Sequence, residues 1–128
     1  MYFEDLTTYR YHQDGIGKNV KNVGWLKNGK KFNTSERLNT ELADKLLDLW
    51  DLRVVKTRGF HCCDICGSIA PVQIFNKNGA SYLLGTSEFR VFSQVDDTVF
   101  AAPDMIIHYI LKHKYLPPDA FVHTLLRQ

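Results

Sequence analysis

The chain has 128 residues, of which 45% are hydrophobic and 23% charged, an ordinary balance for a globular protein with enough apolar material for one core. The formal net charge is only +2. No window approaches the roughly 18 apolar residues of a membrane span, and no strong basic stripe is present, so neither a membrane nor a nucleic acid is the expected partner. Three cysteines, two of them adjacent, make an odd set that does not suit a disulfide framework. The acidic start Met1-Tyr2-Phe3-Glu4-Asp5 lacks the basic and apolar regions of a secretory leader. Reduced thiols in a cytoplasm are expected.

Residues 1–13 alternate weakly through Tyr2, Phe3, Leu6, Tyr9 and Tyr11, which predicts a strand or an extended arm laid on the core. Asp14-Gly15-Ile16-Gly17-Lys18 reads as a turn. Val20, Val23, Trp25 and Leu26 follow, and Lys27-Asn28-Gly29-Lys30 reads as a tight hairpin-type reversal because of its Asn-Gly pair. The basic run from Lys18 to Lys31 is expected to be a solvated loop face. From Asn39-Thr40 the period changes: Leu42, Leu46, Leu49 and Trp50 fall on one face of a helix, with Asn39 or Thr40 as its cap.

After Gly67 the period becomes 2. Val72-Phe75, Tyr82-Leu84, Glu88-Phe92 and Thr98-Ala101 read as short strands of an antiparallel meander, with Asn76-Lys77-Asn78-Gly79 as a turn. In the third strand Glu88 and Arg90 alternate with Phe89 and Val91, which predicts one buried and one wet face. Pro103 and Asp104 are placed to open a second helix, apolar on most sides from Met105 to Leu111. Pro118 and Asp119 open a third, with Phe121, Val122, Leu125 and Leu126 facing in. The expected fold is α+β: one domain over residues 1–128, a small antiparallel sheet packed with about three helices.

The chemistry concentrates in Arg58-Gly59-Phe60-His61-Cys62-Cys63-Asp64-Ile65-Cys66-Gly67. Two residues between Cys63 and Cys66 allow both sulfurs to reach one tetrahedral ion at about 2.3 Å. Gly67 suits the tight turn this needs. The other pair at ligand-like spacing is His108 and His113. Cys63, Cys66, His108 and His113 therefore make a four-ligand set for Zn2+, with His61 as an alternative fourth ligand. The difficulty is angular: at 3.6 residues per turn, His108 and His113 stand about 140° apart, so the helix must loosen near Lys112 for both to reach one ion. Buried free cysteines are also common small core residues, and a histidine on an apolar helix is often a hydrogen-bonded core group. A redox Cys-x-x-Cys would want a helix after a strand, which Gly67-Ser68-Ile69-Ala70-Pro71 does not resemble. His12 and His123 are assigned to the surface.

A catalytic zinc would need an acid/base partner, and Glu88 is the candidate. The simpler reading is a solvent-facing strand residue paired with Arg90 or Arg58. No deaminase signature, phosphate-binding glycine loop or nucleophile elbow is present.

Five segments together resemble a family of small, stand-alone bacterial proteins of uncharacterised function. They are Met1 to Thr7, Asn22-Val23-Gly24-Trp25-Leu26, Thr57 to Cys66, Gly85-Thr86-Ser87-Glu88-Phe89-Arg90, and Ala101 through His108, Tyr109 and His113 to Pro118. The resemblance spans nearly the whole chain. It implies that His61, Cys63, Cys66, Glu88, His108 and His113 are the positions of interest. Cys62 departs from the pattern and is the least expected ligand. The resemblance supplies no established activity; by association alone it implies, as an expectation, an immunity or toxin-neutralising partner. The expected function is non-enzymatic, cytoplasmic binding of another, toxin-like protein, with a structural zinc. The alternative is a small zinc-dependent hydrolase with Glu88 as acid/base.

Overall fold

The computed structural model describes residues 2–10, 19–55, 60–76 and 78–128. The expected turn at 14–18 and the placements of His12, Lys18 and Arg58 lie outside the described residues. The α+β architecture is as expected, but the sheet is mixed rather than antiparallel. Its central strand is β5 (Val99–Pro103). β4 (Glu88–Phe92) runs antiparallel to it, with Phe92 opposite Val99 and Glu88 opposite Pro103. β1 (Val20–Asn22) lies on the other side, parallel, with Val20 opposite Val99. A parallel pair needs a long crossover, and the stretch from Val23 to Thr98, which carries α1, supplies it. Nothing local in Val20–Asn22 signals that orientation.

The start of the chain is an extended arm along the free edge of β1. Leu6 N donates to Asn22 O at 2.7 Å, Asn22 N to Thr7 O at 2.8 Å, and Tyr9 N to Val20 O at 2.9 Å. Phe3 meets Trp25 edge-on at 5.3 Å, and Tyr9 packs with Val20, Trp25, Val99 and Ala101. This cluster covers the sheet face expected to be wet. As a result Glu88 and Arg90 are buried, at 4% and 7% exposure.

The second correction concerns the meander. Among the described residues, β2 (Gln73–Phe75) and β3 (Ser81–Leu83) pair only with each other. Asn76 Oδ1 closes their turn by accepting from Asn78 N and Ala80 N. Ile74 and Tyr82 point inward, where Tyr82 meets Trp50 at 5.0 Å, whereas Phe75 and Leu83 are exposed. Gly85, at φ +93°, breaks the strand direction before β4. The turn at Lys27–Lys30 forms, with Lys30 N bonded to Lys27 O, but it joins no paired strands.

α1 (Asn39–Asp48) buries Leu42, Ala43 and Leu46 against the C-terminal helices. Each such leucine contributes roughly 2 kcal/mol by leaving water. Its expected side-chain cap does not form. Leu38, at φ 63°, precedes the helix, and Asn39 Nδ2 instead donates to Ile110 O at 2.8 Å, tying α1 to α2. α2 (Ile106–His113) starts later than expected: Pro103 ends β5, and Asp104 turns inward instead of serving the helix terminus. α3 (Asp119–Leu126) opens after Pro118, whose carbonyl accepts from Val122 N, as expected. Ile106, Ile107, Ile110, Phe121 and Leu125 meet Phe89 and Val91 of β4 in the core.

Candidate metal centre

The loop 61–67 is held at three points. His61 N donates to Gly85 O at 2.8 Å. Cys63 is inserted into the core at 1% exposure. Asp64 Oδ2 accepts from Asn28 N at 2.9 Å, joining the loop to the Lys27–Lys30 turn. Between these points the chain turns back on itself, with Gly67 N on Asp64 O and Gly67 at φ +70°, a conformation that glycine adopts without strain. Cys66 N lies 3.4 Å from Cys63 Sγ, so the backbone of the second cysteine faces the sulfur of the first.

α2 supplies the other half. Its end is wider than an ideal helix: Lys114 N bonds to Tyr109 O, five residues back, and Lys114 is left-handed at φ 60°. Tyr115 N also reaches Tyr109 O. A turn closed over five residues holds more residues than 3.6, which carries His113 back toward His108. The two imidazoles meet at 5.0 Å between ring centroids, nearly perpendicular at 79°. The loosening expected near Lys112 is thus located at Lys114.

Cys66 Sγ stands 3.3 Å from both His108 Nε2 and His113 Nε2, and Cys63 Sγ is 3.4 Å from His113 Nε2. All four donor atoms lie within 4.8 Å of one another. Zn–S of about 2.3 Å and Zn–N of about 2.05 Å at the tetrahedral angle give S···N edges of about 3.6 Å, close to these separations. A thiol–imidazole hydrogen bond can match one such distance. It does not require four donors from two distant segments to converge.

The electrostatics favour a cation. Burial pushes the Cys63 thiol up, so its thiolate needs a positive partner. Burial, followed by the nearby His113 and Lys112, pushes His108 down to about 4. Burial and Lys112 lower His113 as well. Both imidazoles are therefore held neutral, the state that donates a lone pair to a metal.

The remaining candidates fall outside this cluster. His61 is exposed and lies on the wall of a neighbouring pocket of about 140 Å³, with Cys62, Asp64, Glu88, Asp104 and Tyr109. Cys62 is half-buried and its Sγ donates to Ile69 O at 2.9 Å. Glu88 is paired with Arg90 as expected but is not solvent-facing. Its Oε1 accepts from Arg90 Nη1 at 2.8 Å and from Tyr9 Oη at 2.7 Å. His123 is exposed on α3.

Two supporting residues carry no strong sequence signal. Asp104, fully buried, accepts from Gly85 N at 2.7 Å, Ser87 Oγ at 2.9 Å and Thr86 N at 3.2 Å, with Arg53 Nη1 at 3.9 Å. It thereby fixes the 85–87 loop. Gly85 in turn receives His61, two residues before Cys63. Only the run Gly85-Thr86-Ser87, rich in small residues, hints at a backbone-mediated contact.

Fold and site together define a small α+β protein in which a mid-chain cysteine turn and the end of a C-terminal helix form a Cys2His2 cluster that could bind one metal ion. The chain belongs to the family described as a domain of unknown function, DUF7919, whose model matches residues 1–126. No curated protein and no solved structure matches it.

Proposed function

We propose that this is a non-catalytic, protein-binding module whose fold is closed by a structural zinc ion on Cys63, Cys66, His108 and His113. The observation that carries the reading is the convergence of two sulfurs and two imidazole nitrogens within 4.8 Å. Two thiolates and two imidazoles at tetrahedral spacing select zinc over the hard cations that prefer oxygen. Four protein ligands complete zinc's usual structural coordination. The ion would pin residue 63 to residue 113 across a long stretch of chain, and that closure is its contribution to stability. Metal analysis of the purified protein is the test. A single zinc per chain is expected, lost in Cys63→Ser and in His108→Ala. Metal-free native protein whose two variants are equally stable would remove the site.

The partner in this reading is another protein, of the toxin-neutralising kind, met in a cytoplasm. The exposed Phe75 and Leu83 on the outer face of the β2–β3 hairpin support a docking role. Co-purification with a toxin encoded beside it is the corresponding experiment. The hydrolase alternative draws support from Glu88 and His61 lining the pocket beside the cluster. Against it, one of four converged ligands would have to leave, and Glu88 is committed to Arg90 and Tyr9.

A further inference from the structure

We infer that the centre is also a redox-releasable clamp: a hydroperoxide oxidant, such as hydrogen peroxide, joins Cys66 and Cys63 in a disulfide and expels the ion. The inference rests on the zinc reading above. Its basis is an asymmetry between the two sulfurs. Cys63 is 1% exposed, whereas Cys66 is open to solvent. The outer sulfur meets the oxidant, and the inner one lies within 4.8 Å to complete the bond.

Cys66 thiolate attacks a peroxide oxygen, the O–O bond breaks, and a sulfenic acid and hydroxide form. Cys63 thiolate then attacks the Cys66 sulfur, the S–S bond forms and the S–O bond breaks, releasing a second hydroxide. The sulfurs lose two electrons, the peroxide gains them, and zinc leaves as an unchanged dication. With both thiolates consumed, His108 and His113 alone do not retain it.

Closing the sulfurs to about 2.05 Å requires the 63–66 turn to tighten. A Cβ built on Gly67 would meet nothing within 4 Å, so that side of the turn has room for the adjustment. The loop keeps its other ties, His61 to Gly85 and Asp64 to Asn28, and α2 keeps Ile106, Ile107 and Ile110 in the core, so oxidation releases only the His108–His113 end of α2 from the cysteine turn. Cys62 is excluded as a partner because its sulfur is turned to Ile69 O and stands outside the four-donor cluster.

The test uses the full-length, zinc-loaded chain, treated with hydrogen peroxide in the presence of a chromogenic zinc chelator and then mapped by mass spectrometry. The expected result is release of the zinc together with a Cys63–Cys66 disulfide, seen as a loss of about 2 Da. Dithiothreitol should restore the thiols and zinc uptake, and Cys62→Ser should behave like the parent. Zinc retained in excess peroxide overturns the inference and leaves the structural zinc standing. So does a disulfide through Cys62, or release accompanied only by sulfinic acid. A chain that carries no zinc before peroxide is added overturns both.

Discussion

Gly85 and His61 meet backbone to backbone. The Gly85 carbonyl accepts the His61 amide at 2.8 Å, and a Cβ on Gly85 would overlap the His61 carbonyl oxygen and stand 2.8 Å from its nitrogen. This is the contact through which the buried Asp104 reaches the cysteine turn: Asp104 holds the 85–87 loop, and the loop holds residue 61. The geometry of Cys63 and Cys66 therefore depends on a glycine some twenty residues away in sequence.

Replacing Gly85 by alanine should destabilise the protein by roughly 3 kcal/mol or more, because a left-handed φ is combined with a clash against backbone that cannot rotate aside. Gly79→Ala is the matched control. It has a similar φ, +86°, and nothing within 4 Å of the added methyl, so it should cost only about 1 kcal/mol. Urea denaturation measures both, and zinc competition should show weaker binding in Gly85→Ala alone. Equal losses in the two variants would mean that the His61 contact does not matter.

His61 and His113 can be separated directly. His113→Ala removes a donor placed 3.3 Å from Cys66 Sγ, and zinc affinity should fall by at least about 100-fold. His61→Ala removes a ring outside the cluster, and affinity should stay within about threefold, as for a surface change. Titration against a chelator of known affinity makes the comparison. A large loss in His61→Ala would restore that residue to the ligand set.

Much of this site was legible in the sequence, and the parts that were not share one physical cause. Cys63-x-x-Cys66 and the inward faces of α1 and α3 are local patterns, each carried within a few residues. Whether His108 and His113 can meet is not local, because it depends on the wide turn ending at Lys114. The wet face assigned to Glu88 and Arg90 was wrong because the cover comes from Tyr9 and Trp25, far away in sequence. The parallel pairing of β1 with β5 was missed for the same reason. Asp104 has the features of a helix-start charge, yet a buried carboxylate needs donors, and those offered by Gly85, Thr86 and Ser87 turn it inward.

Arg90→Met should destabilise the protein by about 3 kcal/mol, since it removes the cation at 2.8 Å from a carboxylate that is itself buried. Tyr9→Phe, which deletes one hydroxyl between Glu88 and Arg90, should cost about 1–2 kcal/mol. In a double-mutant cycle the two losses should fall short of additivity, because Tyr9, Glu88 and Arg90 form one network. Zinc content should be unchanged in all three proteins. A change in zinc stoichiometry would couple Glu88's surroundings to the metal and favour the hydrolytic alternative.

Alkaline pH tests the buried hydroxyls that lie outside the cluster. Burial raises the Tyr9 and Tyr115 hydroxyls above the ordinary tyrosine value of 10.0, with Glu88 and Asp5 respectively adding negative charge nearby. The sign follows from linkage. Below about pH 10 these groups are protonated in both folded and unfolded chains, so their contribution is fully present. Above it the unfolded chain gives up protons that the folded chain keeps, and stability falls with rising pH until the folded values are reached. Base titration followed at the tyrosinate absorbance should therefore show these two groups ionising together with loss of the folded circular dichroism signal. The six tyrosines should not ionise in one smooth step near pH 10. Tyr115→Phe, which removes the hydroxyl held by Asp5 at 2.7 Å, should reduce the amplitude of the late phase by one group. Full ionisation of all tyrosines while the fold persists would contradict the burial on which the argument stands.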